Sequence, residues 1–240
     1  MTRPANVITR RERRRADTVQ EILDAAEQQL AQHGPQGLAF RAVAREVGMT
    51  VQSLYHYFDS RDDMVTALVA AAHTGLAEAV EAARDAHSGA RRRVRLLAAS
   101  EAYRHWAVSY PRRFQLAYGM PLADYEAPAD SPTTRAARRV GSVFVELIFA
   151  GWSDVQLQQV ALTRGAPDLD AVLRSLPKEL VADLPPGATA LALTMWSRMH
   201  GLVVLEVFGH MRWLGDQAGA LFSAAMSELA DDVERYAPAS

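Results

Sequence analysis

Apolar residues recur at helical spacing in two short blocks within residues 38–65, and a polar turn separates the blocks. Gly48 lies in this turn, where the left-handed end of a helix favours glycine. Thr50 follows it as a residue that can cap the next helix. Two short helices joined by about four residues with a glycine form a helix-turn-helix pattern. The first block contains Phe40, Val43, Ala44 and Val47, and the second contains Val51, Leu54 and Phe58.

The outward face of the second predicted helix is polar and carries no acidic residue. A solvated face without another role usually includes glutamate or lysine, whereas this face has groups suited to phosphates and base edges. A helix-turn-helix used only for packing is the alternative, and it would not need such a surface. The residues of this face are Gln52, Ser53, Tyr55, His56 and Tyr57.

Another helix is predicted before this motif, and it completes a three-helix core. Thr18 and Glu21 have the spacing of a capping box, and Gly34 and Pro35 are stop signals after His33. The apolar stripe of this helix is Val19, Ile22, Leu23, Ala26 and Leu30.

Residues 1–16 show no apolar stripe and are predicted to form a mobile basic arm. The segment holds six arginines against the single acidic residue Glu12. One interpretation is a solvated tail, and the other is an arm that adds phosphate contacts or enters the minor groove. The arginines are Arg3, Arg10, Arg11, Arg13, Arg14 and Arg15.

The remainder of the chain is predicted to be helical, with no strand-like alternation of any length. Ser60 and Asp63 cap a long helix that reaches about Ala86. Loops are expected at 120–132, where prolines and acidic residues cluster, and over most of 163–187. Further helices are predicted over 90–108, 111–118, 132–151, 168–175, 188–212 and 215–236. The fold class is therefore all-α.

The helix over residues 90–108 combines an apolar side with a basic start. Its inner side is predicted to carry Val94, Leu97, Ala98 and Glu101. Arginines crowd its first turn, where the helix dipole disfavours cations. They are interpreted as a solvated face or as partners for acidic neighbours, and a second DNA-binding patch is the less favoured interpretation. These arginines are Arg91, Arg92, Arg93 and Arg95.

Composition narrows the class of protein. The 240 residues are 49% apolar and 22% charged, with a formal net charge of −2, which is ordinary for a globular protein. The chain has no cysteine, which excludes disulfides and cysteine-ligated metal sites. The arginine-rich start is not followed by an apolar signal core, so a cytoplasmic location is expected. The apolar run 188–211 contains Arg198, His200, Glu206 and His210, which favours a buried helix over a membrane span.

These residues resemble a known family. The run GMTVQSLYHYFDSRDDMV, which starts at Gly48, is similar to the most characteristic stretch of the TetR family of bacterial transcription regulators. The resemblance is specific over about residues 17–68. Trp196, His200 and Gly201, followed by Leu205 and Glu206, also resemble the C-terminal signature of one subclass.

The resemblance implies the fold and its division. A helix-turn-helix DNA-binding domain is expected over 17–62, after the basic arm 1–16, and a larger helical ligand-binding and dimerisation domain over 63–240. It also implies a homodimer that binds a palindromic operator in duplex DNA as a repressor and leaves it when a small apolar or amphipathic effector binds. No cofactor and no membrane partner are expected. A helical protein-interaction module, or an activator without an effector, is the alternative.

Roles at the DNA follow from the same resemblance, position by position. Val51 is ambiguous, because it could pack inward or touch a thymine methyl group. Two positions depart from the family: Tyr57 replaces a usual histidine, and Ala39 replaces a usual capping residue. Base-facing positions are Arg41, Val51, Gln52, Ser53 and His56, and phosphate-holding positions are Thr50, Tyr55, Tyr57 and Arg61.

An effector pocket is predicted in the middle of the chain, where large and adaptable side chains surround a proline-broken helix. Each of these side chains considered alone is more simply explained as core, and His200 is the polar group of the set. The candidates are Trp106, Phe114, Tyr118, Met120, Phe144, Ile148, Trp152, Trp196, Met199, His200 and Val203.

The last two helices, about 188–212 and 215–236, are predicted to pair with their copies in a four-helix dimer interface. Small residues in the last helix allow close approach, with Leu221, Phe222, Ala225, Met226 and Leu229 at helical spacing. Enzymatic activity is not expected, because the sequence contains no nucleophile elbow, phosphate-binding loop, dinucleotide fingerprint or paired-histidine metal motif.

Overall fold

The structure is a computed structural model that describes residues 9–33, 38–119, 131–160, 167–175 and 184–236, and no strand occurs among them. The all-α prediction is confirmed. Its α-helices are α1 (Arg10–His33), α2 (Phe40–Glu46), α3 (Val51–Leu54), α4 (Arg61–Ala86), α5 (Arg92–Ser109), α6 (Pro111–Tyr118), α7 (Pro132–Phe149), α8 (Asp154–Gln158), α9 (Pro167–Ser175), α10 (Pro186–Val207) and α11 (Ala218–Tyr236).

The chain forms two compact units. The first unit comprises Met1–Ala72 and Gln115–Thr134, and the second comprises His73–Phe114 and Arg135–Ser240. The division within the long helix α4 therefore falls between Ala72 and His73. The domain limits predicted after residues 16 and 62 stay predictions.

Helix α1 starts earlier than the sequence pattern predicted. Its first turn is capped by Thr9 and Glu12, since the Glu12 amide donates to Thr9 Oγ1 at 3.2 Å and the Thr9 amide donates to Glu12 Oε2 at 2.7 Å. These bonds, chiefly the one from the Thr9 backbone, lower the pKa of Glu12. Thr18 lies inside the helix and donates its hydroxyl to the Arg14 carbonyl. Residues 10–16, which were assigned to the predicted arm, are thus helical, and the predicted helix start at Thr18 is wrong. Residues 1–8 lie outside the described residues.

The first unit has a core formed by α1, α2, α3 and the start of α4. Ile22 and Ala26 of α1, Val43 of α2, Leu54 of α3 and Met64 of α4 are all fully buried, at 0% exposure. Ala39 provides no side-chain cap for α2, as its chemistry predicted. Ser60 caps α4 with Asp63, again as predicted.

In the second unit, α5 packs against α10 and α11. Its buried side differs from the predicted one: Val94 is 46% exposed, while Leu96 and Tyr103 are buried at 2% and 0%. The sequence pattern predicted the wrong side of α5, because the apolar residues Val94 and Leu97 suggested a buried stripe that is rotated away from the observed one. The full buried set of α5 is Leu96, Ala99, Ser100, Tyr103, Trp106 and Ala107.

Arginines of α5 pair with acidic groups of other helices, as predicted for the first-turn cluster. Arg93 Nη2 lies 3.0 Å from Asp231 Oδ1, and Arg95 Nη2 lies 3.4 Å from Glu146 Oε1. Further along α5, Arg104 donates Nε and Nη2 to the two carboxylate oxygens of Glu206, at 2.8 and 2.5 Å. These pairs tie α5 to α7, α10 and α11.

The junction of the last two helices differs from its prediction. Helix α10 ends at Val207 rather than near residue 212. A 3-10 segment, Arg212–Gln217, follows, and Gly215 within it has a positive φ of 52°. Helix α11 then starts at Ala218.

The short helix α8 was missed, although Ser153 and Gln156 form a reciprocal capping box at its start. This signal is present in the sequence but stands before only five helical residues. The predicted loop of residues 120–130, together with 163–166 and 176–183 of the predicted irregular stretch, lies outside the described residues.

Helix α10 is, within the described ranges, the one helix long and apolar enough to cross a membrane by length and composition. Its side formed by Leu191, Met195, Met199 and Val203 is buried at 1%, 5%, 3% and 0% exposure. This stripe packs within the second unit, so α10 is a core helix, as its charged residues led us to expect.

Gly48→Ala is expected to destabilise the helix-turn-helix locally. Gly48 has a φ of 67°, and an L side chain in this region costs about 1 kcal/mol. Amide hydrogens of residues 40–58 should therefore exchange about fivefold faster by mass spectrometry. Gly89→Ala is the matched control, since nothing lies within 4 Å of a Cβ added there. Equal exchange in the two variants would contradict the strain assigned to Gly48.

Candidate functional site

The turn before α3 has the predicted geometry. The positive φ of Gly48 reverses the chain after α2, and the Met49 amide donates to the Ala44 carbonyl at 2.8 Å. Thr50 Oγ1 then accepts a bond from the Ser53 amide at 3.1 Å and lies 2.9 Å from Ser53 Oγ. Thr50 and Ser53 therefore together fix the start of α3.

Residues 50–58, named here the recognition segment, are held in place by their apolar side. Leu54 and Phe58 are 0% and 7% exposed, and Val51 and Tyr57 pack against the same core while remaining partly exposed. The regular helix ends at Leu54, and residues 55–57 continue as a tight turn in which the Tyr57 amide donates to the Leu54 carbonyl at 2.9 Å. Val51 thus packs inward with part of its surface, which addresses the ambiguity seen in the sequence.

The opposite side of this segment is exposed. Gln52 and His56 are exposed and lie four residues apart in the sequence, and Arg41 is exposed on α2. The ring of Tyr55 is 47% exposed and contacts Phe40 with a centroid distance of 4.9 Å. This contact orients a phenol outward from the junction of α2 and the recognition segment.

Arg61 lies at the start of α4. Its Nε donates to the Leu38 carbonyl at 3.1 Å, and its Nη1 lies 3.9 Å from Asp62 Oδ1. The bond to Leu38 holds the guanidinium beside the backbone two residues before the start of α2. Arg61 is thus placed by the backbone of the motif and not by α4 alone.

One contact was not anticipated from the sequence. The guanidinium carbon of Arg15 lies 5.0 Å from the centroid of the Tyr57 ring, in a cation–π arrangement. Arg15 was counted within the predicted arm, and only the continuation of α1 brings it to Tyr57. The basic character of residues 10–15 was visible in the sequence, but its position was not.

The second unit contains an aromatic cluster centred on Tyr103, a residue that was not among those predicted to form the pocket. The ring of Tyr103 makes edge-on contacts with Phe114, Phe144 and Trp196, at centroid distances of 6.0, 6.1 and 5.6 Å. The His200 ring stacks on Trp196 at 5.3 Å and an interplanar angle of 11°. The helical spacing of Leu96, Tyr103 and Trp106 on one side of α5 was the signal that could have identified Tyr103.

His200 has a specific polar partner in this cluster. The Tyr103 hydroxyl and His200 Nδ1 are 2.7 Å apart and share a hydrogen bond. Burial lowers the pKa of His200, because the charged imidazolium loses solvation among the aromatic rings. Partial burial therefore favours the neutral form of His200, and its ring has a hydrogen-bond partner within its own unit.

The structure brings together only part of the predicted pocket. Trp106 contacts Tyr110 and packs over Gly75, whose added Cβ would lie 3.4 Å from the indole. Trp152 contacts Phe149, and Tyr118 belongs to the first unit. Met120 lies outside the described residues. Ile148, Met199 and Val203 are buried core positions of the second unit, at 3%, 3% and 0% exposure.

No group of three or more histidine, aspartate and glutamate side chains is arranged to hold a metal ion within the residues described by the structure.

A capped recognition segment on a three-helix core, joined to a larger helical unit, defines the class of helix-turn-helix regulators. Residues 22–68 match the family described as bacterial regulatory proteins, tetR family. Residues 96–229 match the tetracyclin repressor-like C-terminal domain. The chain belongs to the TetR family of transcriptional regulators, whose members bind DNA and dimerise.

Known proteins agree with this assignment. The chain is 32% identical over 189 residues to the HTH-type transcriptional regulator Rv1816 of Mycobacterium tuberculosis, covering 79% of this chain and 80% of the relative. It is 33% identical to the crystal structure of regulatory protein SCO4313, with a TM-score of 0.72 and coverage of 92% and 98%. The multidrug binding protein EbrR, complexed with imidazole, shares the fold at 18% identity, with a TM-score of 0.51 and coverage of 92% and 96%.

Stability is expected to depend on His200 below neutral pH. Because the folded-state pKa of His200 lies below its ordinary value of 6.5, the unfolded chain binds the proton first as pH falls. The contribution of the neutral His200 to the free energy of unfolding is therefore complete above about pH 6.5. This contribution is lost as the pH decreases through and below that value. His200→Gln should show a shallower loss between pH 7 and pH 5 in denaturant titrations followed by tryptophan emission. Parallel pH profiles for the two proteins would contradict the assignment.

Proposed function

We propose that this chain is a ligand-responsive repressor that acts in the cytoplasm as a homodimer on a palindromic operator. A small apolar or amphipathic effector releases it from DNA. The observation that carries the proposal is the exposed, acid-free side of the recognition segment, which is held outward by the buried Leu54 and Phe58. An activator without an effector is the alternative, since a repressor and an activator can use the same DNA-binding surface.

Different residues of the interface take different tasks in this proposal. Gln52 and His56 read bases from the exposed side, and Arg41 offers two donors that fit guanine. Ser53 and Val51 have less surface available for base contacts. The Ser53 hydroxyl is hydrogen-bonded to Thr50 of the cap, and Val51 packs partly inward. Thr50, Tyr55, Tyr57 and Arg61 contact phosphates, which sets the register but carries no sequence information.

The dimer interface is proposed on α10 and α11. Leu193 and Leu205 on α10 and Leu221 on α11 are 45%, 41% and 42% exposed, with small residues such as Ser197 and Ala224 on the same outward sides. Phe222, Met226 and Leu229, which the sequence suggested for this role, are instead buried within the protomer at 1%, 1% and 4% exposure. The interface is therefore carried by the opposite sides of the two helices.

The effector is proposed to bind at the aromatic cluster of the second unit. Trp196 and His200 present partly exposed rings there, while Tyr103 and Phe114 are fully buried behind them. Phe144 completes the apolar wall, and the His200 ring provides the polar contact. This assignment would also place the chain in the family subclass with the Trp196 and His200 signature. A protein that shares the fold, EbrR, is described as a multidrug binding protein.

Coupling is proposed to run along α4. Arg139 of α7 donates Nε and Nη2 to Glu81 of α4 at 3.0 and 2.7 Å, and Arg84 of α4 pairs with Glu146 of α7 at 3.0 Å. A ligand that displaces α7 would therefore displace the second half of α4. Since α4 is continuous from Arg61, its displacement would alter the distance between the two recognition segments of a dimer. Such coupling typically amounts to about 1–3 kcal/mol.

Selection of duplexes from a random library is the direct test of DNA recognition. Gln52→Ala and His56→Ala should change the selected sequence, because they remove base contacts. Arg61→Ala should weaken all duplexes alike and reduce the salt dependence by about 0.9 in log–log slope for each phosphate contact that the substitution removes. A purified chain that binds no member of the library at low salt would refute the proposed function. Uniform weakening by all three variants would refute only the division of tasks.

Leu221→Glu is expected to convert the dimer into monomers, since it places a charge in the proposed apolar interface. Sedimentation velocity measures the change directly. Val155→Glu is the control, because Val155 is 66% exposed and belongs to α8, not to either of the two proposed interface helices. If the Leu221→Glu protein sediments like the wild-type dimer, the proposed location of the dimer interface is wrong.

A further inference from the structure

The first two turns of α1 form a helical, basic extension of the core of the first unit. Thr9 and Glu12 cap the helix, so the arginines that follow have fixed relative positions. Arg10, Arg11, Arg13, Arg14 and Arg15 are all exposed. The glutamate of this segment is engaged by Thr9 in the cap.

Two of these arginines continue the side of α1 that faces the core. Ile22, Ala26 and Gln29 are buried at 0%, 0% and 6% exposure and mark this side. Counting back by seven and then by four residues from Ile22 gives Arg15 and Arg11, because residues at these spacings share one side of a helix. Past the end of the apolar core, the same stripe therefore becomes cationic.

The contact between Arg15 and Tyr57 shows where this stripe lies. The Arg15 guanidinium lies over the ring of Tyr57, 5.0 Å from its centroid, and Tyr57 belongs to the last residues of the recognition segment. A guanidinium stacked by its plane still directs its N–H groups outward along its edges. Arg11 lies one helical turn further from the core on the same side.

We propose that Arg11 and Arg15 bind the DNA backbone next to the bases read by the recognition segment, so that α1 extends the contact of each protomer along the duplex. This inference rests on the proposed function and adds to it a second element of phosphate recognition. The binding groups are the guanidinium side chains and not the amide end of the helix. Since phosphate contacts carry no sequence information, the extension increases affinity for every duplex.

The test compares two double variants of the full-length protein that remove the same charge from the same helix. Arg11→Gln with Arg15→Gln removes the stripe. Arg10→Gln with Arg13→Gln is the matched control, since these positions point away from the core-facing side. Affinity for a mixed-sequence duplex and for the library-selected operator is measured by fluorescence anisotropy over a series of NaCl concentrations. Circular dichroism checks that α1 remains helical in each protein.

The stripe variant should lower the log–log salt slope by about 3.6 for a dimer, because each phosphate interaction that it removes accounts for about 0.9. The control variant should change the slope much less, and neither should change the selected sequence. Arg11→Lys with Arg15→Lys should restore the slope, because the charge is retained. Equal slopes for the stripe and control variants would overturn the inference while leaving the proposed function intact. A wild-type protein that binds no duplex would instead overturn the proposed function.

Discussion

The burial of one leucine and one phenylalanine is the constraint on which the recognition surface depends. An isolated helix as short as α3 is not stable in water, because forming its first turn costs more conformational entropy than its few hydrogen bonds recover. Leu54 and Phe58 supply what the helix lacks, since both insert into the core shared by α1, α2 and α4. Truncation of a buried leucine typically costs about 2–5 kcal/mol. The positions of the exposed side chains of Gln52 and His56 therefore depend on the packing of Leu54 and Phe58 in the core.

Local signals predicted this part of the fold well, because each acts over a few residues. Gly48 and Thr50 specify a turn and a cap that need no distant partner, and the structure has both. The start of α1 could not be predicted in the same way. Two capping-box patterns exist, at Thr9 and at Thr18, and the helix before Thr18 has no apolar stripe to reveal it. Arginine is a good helix former, so the helix continues past the end of the core.

In the second unit, apolar pattern alone was a weaker guide. Phe222 and Leu221 are adjacent and both apolar, yet one is buried in the protomer and the other is exposed. A helix with apolar residues on two sides does not indicate which side meets its own chain. The error in α5 has the same origin, because Val94 and Leu96 marked two different sides. Tyr103 became visible as the centre of the aromatic cluster only when α5, α7 and α10 were placed in space.

The tie between Arg104 and Glu206 carries an evolutionary consequence. A methyl group at Gly219 would lie 3.1 Å from Nη2 of Arg104, and the two bonds to Glu206 prevent the guanidinium from yielding easily. A lineage that replaced Gly219 would have to shift this arginine by a few tenths of an ångström, which would strain its two bonds to the largely buried Glu206. The three positions should therefore be inherited together or exchanged together, so that a glycine that contacts no ligand would covary with an ion pair on two other helices.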